Sequence, residues 1–251
     1  MKLARWRAAL AALVVAIPVS GASARDLVVG VEAIDYAPVY GMRGGEFIGA
    51  AREILDAFAR DQGHRLTYRP FPVKRLLAEL IHGGIDLKFP DSPDWQGAVR
   101  KDVPIAYSKP VIAYIDGTVV RAERVGAAPE TIASLGTVAG FTPFAWQDSI
   151  KAGKVSLTEN PGFEALLKQL QIGRIDGAYA NVAVMLTAAE VVLGNPGTLA
   201  YAPGLPHIAD SYRLSSYKSP EIVAEFDEWL GRNGKLVAEI ISRTGAERGI
   251  R

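Results

Sequence analysis

The sequence contains no cysteine, which excludes disulfides, thiolate metal sites and cysteine nucleophiles together. An excess of one charge is also missing, since 28 Lys and Arg stand against 27 Asp and Glu. Neither the basic footprint of a nucleic-acid binder nor a polybasic membrane patch can be built from that balance. The three histidines, His64, His82 and His207, stand apart and form no His-Glu-x-x-His. Gly-x-Ser-x-Gly and the phosphate loop Gly-x4-Gly-Lys-Ser/Thr are absent as well. No cofactor, metal or catalytic residue is therefore expected.

Long hydrophobic runs are lacking too. Ala8 to Val19 is apolar for only 12 residues, where a bilayer span needs about 20. Ala178 to Leu193 is interrupted by Asn181 and Glu190. The first run follows Lys2, Arg5 and Arg7 and precedes the small residues Ala22-Ser23-Ala24. That order is the signature of a cleavable export signal over residues 1–24. No cysteine follows it to carry a lipid. Taking Lys2, Arg5 and Arg7 from the 28 leaves 25 cationic side chains against 27 anionic ones, a net of −2 for the exported chain.

What is present is an alternation of strand-like and helix-like segments, the pattern of α/β architecture. Leu27 to Ala33, Arg65 to Phe71 and Ile85 to Phe89 read as strands. Helical stripes lie between them: Ile48, Ala51, Leu55, Phe58 and Ala59, then Val73, Leu76, Leu77, Leu80 and Ile81. In the second half, Thr137 to Phe141, Lys154 to Leu157, Asp176 to Ala180 and Thr198 to Ala202 read as strands. Asn160-Pro161 is expected to cap and open a helix through Phe163, Leu166, Leu167 and Leu170. Ser219-Pro220 opens another, with Ile222, Phe226, Trp229 and Leu230 on one face, and a last stripe holds Val237, Ile240 and Ile241.

One segment recurs. A shift of 90 places Leu76, Leu77, Leu80, Gly83, Ile85 and Asp86 on Leu166, Leu167, Leu170, Gly173, Ile175 and Asp176. Helix termination demands the glycine but not the Ile-Asp after it, so the pattern favours two lobes built from one helix–turn–strand unit. Asp86 and Asp176 are expected to be turn residues bonding nearby backbone N–H groups.

Gly45-Glu-Phe-Ile-Gly49, Pro70 to Gly84 with Ile85-Asp86, Tyr107-Ser-Lys-Pro-Val111, Val138-Ala-Gly-Phe-Thr142 and Gly173-Arg-Ile-Asp176 resemble, in order and spacing, the family 3 extracellular solute-binding proteins. So does the return segment Tyr212 to Pro220. The resemblance implies a periplasmic-binding-protein type II fold, two α/β lobes joined by two crossover strands. Lobe 1 would comprise 26–112 and 208–251, and lobe 2 would comprise 117–205. Hinges would lie near Tyr114 to Thr118 and Ile208 to Leu214. It also implies a monomer in the periplasm and an ABC permease as partner. A small polar molecule would sit at the carboxyl ends of the strands, where open α/β sheets bind ligands.

Candidate ligand-binding residues follow from that placement. Asp91 and Asn181 each lie five residues beyond the repeated aspartate, at equivalent strand ends. The family commonly holds a ligand ammonium with an Asp at the Asn181 position; the other role open to Asn181 is a helix cap. The family's Thr-x-x-Arg carboxylate clamp is altered here, its position falling on Lys101 with Arg100 adjacent. Those two are a clamp or a solvated surface pair. Tyr36 after the first strand and Trp95 are candidate aromatic walls, and Asp35 is a candidate polar contact. Phe89 could supply another wall but suits the core better, and Trp95 could equally be core. Thr142, before Pro143, offers an anion a helix start, or simply caps it. With no acid at Asn181, the expected ligand is an anion or neutral polar molecule held by Arg100 and Thr142 against Tyr36, and not an ordinary α-amino acid. Two further readings stand beside the receptor. One is a dehydratase-like lyase using a cleft carboxyl such as Glu32, Asp35 or Asp91. The other is a stand-alone periplasmic sensor.

Overall fold

The computed structural model describes residues 24–194 and 197–250. The expected export signal falls outside them except for Ala24. Strand β1 (Asp26–Glu32) buries Val29 and Val31. A small antiparallel sheet of β2 (Asp35–Tyr36), β3 (Tyr40–Arg43) and β4 (Glu46–Ile48) follows. Helix α1 (Ala50–Gln62) packs Ile54, Leu55 and Phe58 inward and stops at Gly63. Next come β5 (Arg65–Phe71), α2 (Val73–Ile81) and β6 (Leu87–Asp91). The short α3 (Gly97–Arg100) and β7 (Ala106–Tyr107) lead to the long strand β8 (Ile112–Arg121).

The second half repeats the alternation: β9 (Ser134–Val138), α4 (Gln147–Lys151), β10 (Ser156–Asn160), α5 (Phe163–Gln171), β11 (Gly177–Asn181), α6 (Val182–Leu193) and β12 (Leu199–Tyr201). The chain returns along β13 (Ile208–Ser216) and ends in α7 (Pro220–Arg232) and α8 (Gly234–Thr244). Pro220 opens α7 with Ser219 as its N-cap, as the dipeptide predicts.

The main sheet runs β10-β9-β11-β8-β13-β6-β1-β5, with β12 beside β8 and β7 beside β13. Strands β5, β1 and β6 are mutually parallel, as are β10, β9 and β11. Strands β8 and β13 lie antiparallel to each other and to their outer neighbours. The structure is therefore two half-sheets, each with its own helices, meeting along the β8–β13 pair. Glu32, which ends β1, and Gly140 and Phe141, just past β9, border one region.

The repeat read from the sequence is a repeat of packing. Leu76, Leu77 and Leu80 on α2 and Leu166, Leu167 and Leu170 on α5 are all buried. Both helices close through a left-handed glycine, Gly83 at φ 74 and Gly173 at φ 73. A Cβ on Gly136 would lie 2.6 Å from Ile175 Cδ1 and 2.6 Å from Leu166 Cδ1, and one on Gly30 would strike the matching pair, Ile85 and Leu76. Helix and sheet approach this closely in both halves because those two positions lack side chains.

Several expectations shift. Asp86 Oδ2 accepts the Val28 N–H at 2.7 Å, and Asp176 Oδ2 accepts that of Ser134 at 2.9 Å. The amides they bond belong to neighbouring strands remote in sequence, not to nearby turn residues. Holding the chain in turns there, they delay β6 to Leu87 and β11 to Gly177. Asn160 does not cap a helix: its amide donates to Thr137 O at 3.3 Å as the last residue of β10, and α5 starts at Phe163 after Gly162. The strand expected over Thr137 to Phe141 is Ser134–Val138, since Gly140 takes φ 93 and turns the chain.

Candidate ligand-binding site

At the junction of the half-sheets lies a cavity of about 110 Å³. The first half supplies Glu32 at the end of β1, Tyr36 and Tyr40 from the small sheet, Lys88 on β6, and Trp95 and Gln96 beyond it. The second supplies Phe141, Thr142 and Phe144 after β9 and Tyr179 on β11, while Asp116 and Tyr212 come from the connecting strands themselves.

Its walls are mainly aromatic. Tyr36 stacks on Tyr40 with ring centroids 4.8 Å apart, and meets Phe141 and Phe163 of the other half, each at 5.6 Å. Tyr212 stacks on Tyr114 at 4.3 Å and meets Trp95 at 5.9 Å. Such contacts each contribute roughly 0.5–1.5 kcal/mol beyond their area. Burial pushes the hydroxyls of Tyr36, Tyr40 and Tyr212 well above their usual range, so they stay neutral. Tyr40 donates to Glu32, and Tyr212 accepts from Asn181 Nδ2 at 3.0 Å.

The cations near the cavity are already engaged. Asp91, fully buried, accepts from Lys88 Nζ at 2.6 Å, from Arg100 at 2.6 and 3.1 Å, from Ser215 Oγ at 2.6 Å and from the Ser92 N–H at 3.0 Å. Lys88 gives a second bond to Pro90 O at 2.7 Å and lies 5.3 Å from the Trp95 ring centre. Arg100 also donates to Trp95 O and the Tyr107 hydroxyl. Burial alone would raise the Asp91 pKa, but Lys88 and Arg100 outweigh it and hold the carboxyl below its ordinary value.

The carboxyls of the cavity are less well provided. Burial pushes Glu32 up, partly offset by Lys88 and the Tyr40 hydroxyl. Burial, with Asp210 and Glu32 nearby, pushes Asp116 up to about 7. Asp116 Oδ1 is buried and finds no hydrogen-bond partner among the described residues.

Of the residues expected in the site, Tyr36, Trp95 and Thr142 line this cavity. Asp91 and Arg100 do not: they neutralise each other in the buried cluster, so the expected Arg100 clamp on an anion is already occupied by a carboxylate of the protein. Lys101 is exposed. Asn181 lies underneath, its Oδ1 accepting from the Val184 N–H at 3.0 Å as the N-cap of α6. Asp35 stands at the rim of a separate groove with Arg43 3.3 Å away. Thr142 precedes a three-residue 3₁₀ turn (Phe144–Trp146) and not an α-helix start. Phe89 is core. Reading the sequence missed Lys88 and Asp116 altogether and named Glu32 only as a candidate acid. A signal existed: each is a charged residue within or ending a mostly apolar strand, where ionised side chains are rare unless paired. Among the described residues no cluster of His, Cys, Asp or Glu could hold a metal, and no helix is long and apolar enough to cross a membrane.

No protein-family profile matches the sequence, and no curated protein matches it. Solved structures do match. An ancestral arginine-binding protein bound to arginine superposes at TM-score 0.69 and 19% identity, over 87% of this chain and 97% of that one. The amino acid ABC transporter substrate-binding protein AbpA of Streptococcus pneumoniae, bound to L-arginine, gives 0.67 and 21%, over 88% and 94%. The GluR0 ligand-binding core with L-glutamate gives 0.72 and 14%, over 88% and 99%. Likeness over nearly the whole of each chain, with two parallel half-sheets joined by an antiparallel pair, establishes the fold as that of the type II periplasmic binding proteins.

Proposed function

We propose that the chain is an exported solute-binding protein that captures a small polar molecule between two lobes and presents it to an ABC permease in the inner membrane. One observation carries the reading. The cavity draws its walls from both half-sheets, which are joined through β8 and β13, so closing the halves and enclosing a solute are one event. The lobes would comprise 26–112 with 208–251, and 117–205, hinged near Tyr114 to Thr118 and Ile208 to Leu214. The periplasm is the compartment consistent with the leader-like N-terminus, and the working unit is a monomer. The substrate-binding proteins of like fold support transport over catalysis.

The dehydratase reading requires a cleft carboxyl with a raised pKa, and Asp116 is one. A counter-ion held ready for a cation has the same signature, and the binding function explains the aromatic walls as well. Native mass spectrometry of the purified protein, with small-angle scattering before and after ligand removal, tests the proposal. A retained small molecule and a larger radius once it is stripped are expected. An invariant shape with no solute retained or accepted would sink the receptor, and steady dehydration of a cyclic acid would replace it with the lyase.

A further inference from the structure

The choice of solute class rests on that reading of the cleft and extends it. Asp116 is the direct cross-strand partner of Asn181 in the β8–β11 ladder, and directly opposed residues share a face of the sheet. An acid missing from the end of β11 is thus supplied one strand away, on the connecting strand. Near Asp116 stand two further carboxyls, Asp210 on β13 and Glu32 on β1, and the buried cations beyond them are Lys88 and Arg100. Both cations are spent on Asp91. Glu32 has the Tyr40 hydroxyl, and Asp210 has Ser92 Oγ at 3.2 Å. Among the described residues Asp116 Oδ1 has no partner and no guanidinium lines the cavity, so a ligand carboxylate would find no forked partner there.

We propose that the cleft takes a small organic monocation without a carboxylate, an alkylammonium or guanidinium compound, with Asp116 as its counter-ion and Tyr36, Trp95 and Tyr212 as its walls. Aromatic faces attract a desolvated cation and leave an anion unsupported. A buried carboxylate gains from such a ligand what the protein itself does not provide.

Calorimetry on matched pairs tests this: isobutylamine against valine, and isopentylamine against leucine, each amine being the amino acid without its carboxylate. The amines are expected to bind more tightly than their parents. Asp116→Asn is expected to weaken them about tenfold or more, since each pKa unit by which a bound cation lowers Asp116 is tenfold in affinity. In the unsubstituted protein, affinity should fall as pH drops from 7 to 5, because Asp116 must first release a proton. The Asn variant should flatten it. The pH profile stands even if that variant misfolds. Tighter binding of valine or leucine than of their amines would overturn the assignment while leaving the cleft a binding site. So would amine binding that neither Asp116→Asn nor pH alters. No binding of any probe, with no solute carried through purification, would overturn this inference and the receptor together.

Discussion

Replacing Asp91 with Asn separates a ligand-contacting residue from one that holds the site together. Asp91 is enclosed and accepts five hydrogen bonds, three of them from Lys88 and Arg100. Asn keeps the shape but loses the charge and turns an N–H₂ toward one of two buried cations. Breaking a buried ion pair from one side costs about 3–5 kcal/mol, because the remaining charges stay desolvated. For a chain this size, about 2–4 °C of melting temperature accompanies each kcal/mol, so a fall of roughly 6–20 °C is expected. Thermal and denaturant unfolding of Asp91→Asn, Lys88→Met and the double variant measure it. The double variant should lose less than the sum, since Lys88→Met removes one cation left stranded. The pH dependence follows from the lowered Asp91 pKa. Its contribution is full above the unfolded value of about 3.9 and vanishes as pH falls through the lower folded value. A loss below about 1 kcal/mol, the scale of a surface pair, would refute the reasoning. If binding were then abolished, Asp91 would belong to the ligand after all.

Asp116 acts in the opposite sense: its folded pKa, about 7, lies above the unfolded one. Stability should therefore fall as pH rises from about 4 to about 7. Asp116→Asn should flatten the melting-temperature profile there and be the more stable protein at pH 8; a superimposable profile would contradict the buried, unpaired carboxyl. Tyr36→Ala removes two ring contacts across the cleft, together about 1–3 kcal/mol, and should raise the unliganded radius of gyration in scattering; an unchanged radius would mean other contacts hold the halves. Gly136→Ala and Gly30→Ala should each cost about 1–3 kcal/mol by overpacking, recovered in part by Ile175→Val and Ile85→Val. A loss in one half only would show that the two repeats do not pack alike.

The fold was legible because hydrophobic periodicity and glycine stops are local, and because Leu76 to Asp86 recurs intact as Leu166 to Asp176. Strand starts were less so. Asp86 and Asp176 bond amides 58 and 42 residues away, a constraint no local window contains. The cavity was half legible. Tyr36, Trp95 and Thr142 stand where strand ends put them, but the roles of the charged residues depend on pairing across elements. Arg100 pointed to an anion site only while Asp91 was read as a separate contact to the ligand. Once the two meet, the charge expected of the ligand reverses. Asp116 was hidden inside a hinge segment, and only the β8–β11 register sets it beside Asn181.

The β8–β13 ladder aligns five consecutive residue pairs, from Ile112 opposite Tyr212 to Asp116 opposite Ile208. A slip of one residue would turn Tyr114 and Tyr212, stacked on each other, to opposite faces of the sheet. If the halves close as proposed, this register lets them tilt about the seam and keeps them from sliding along it. Their relative position reduces to an angle, and a single distance measured across the mouth of the cleft reports the whole motion.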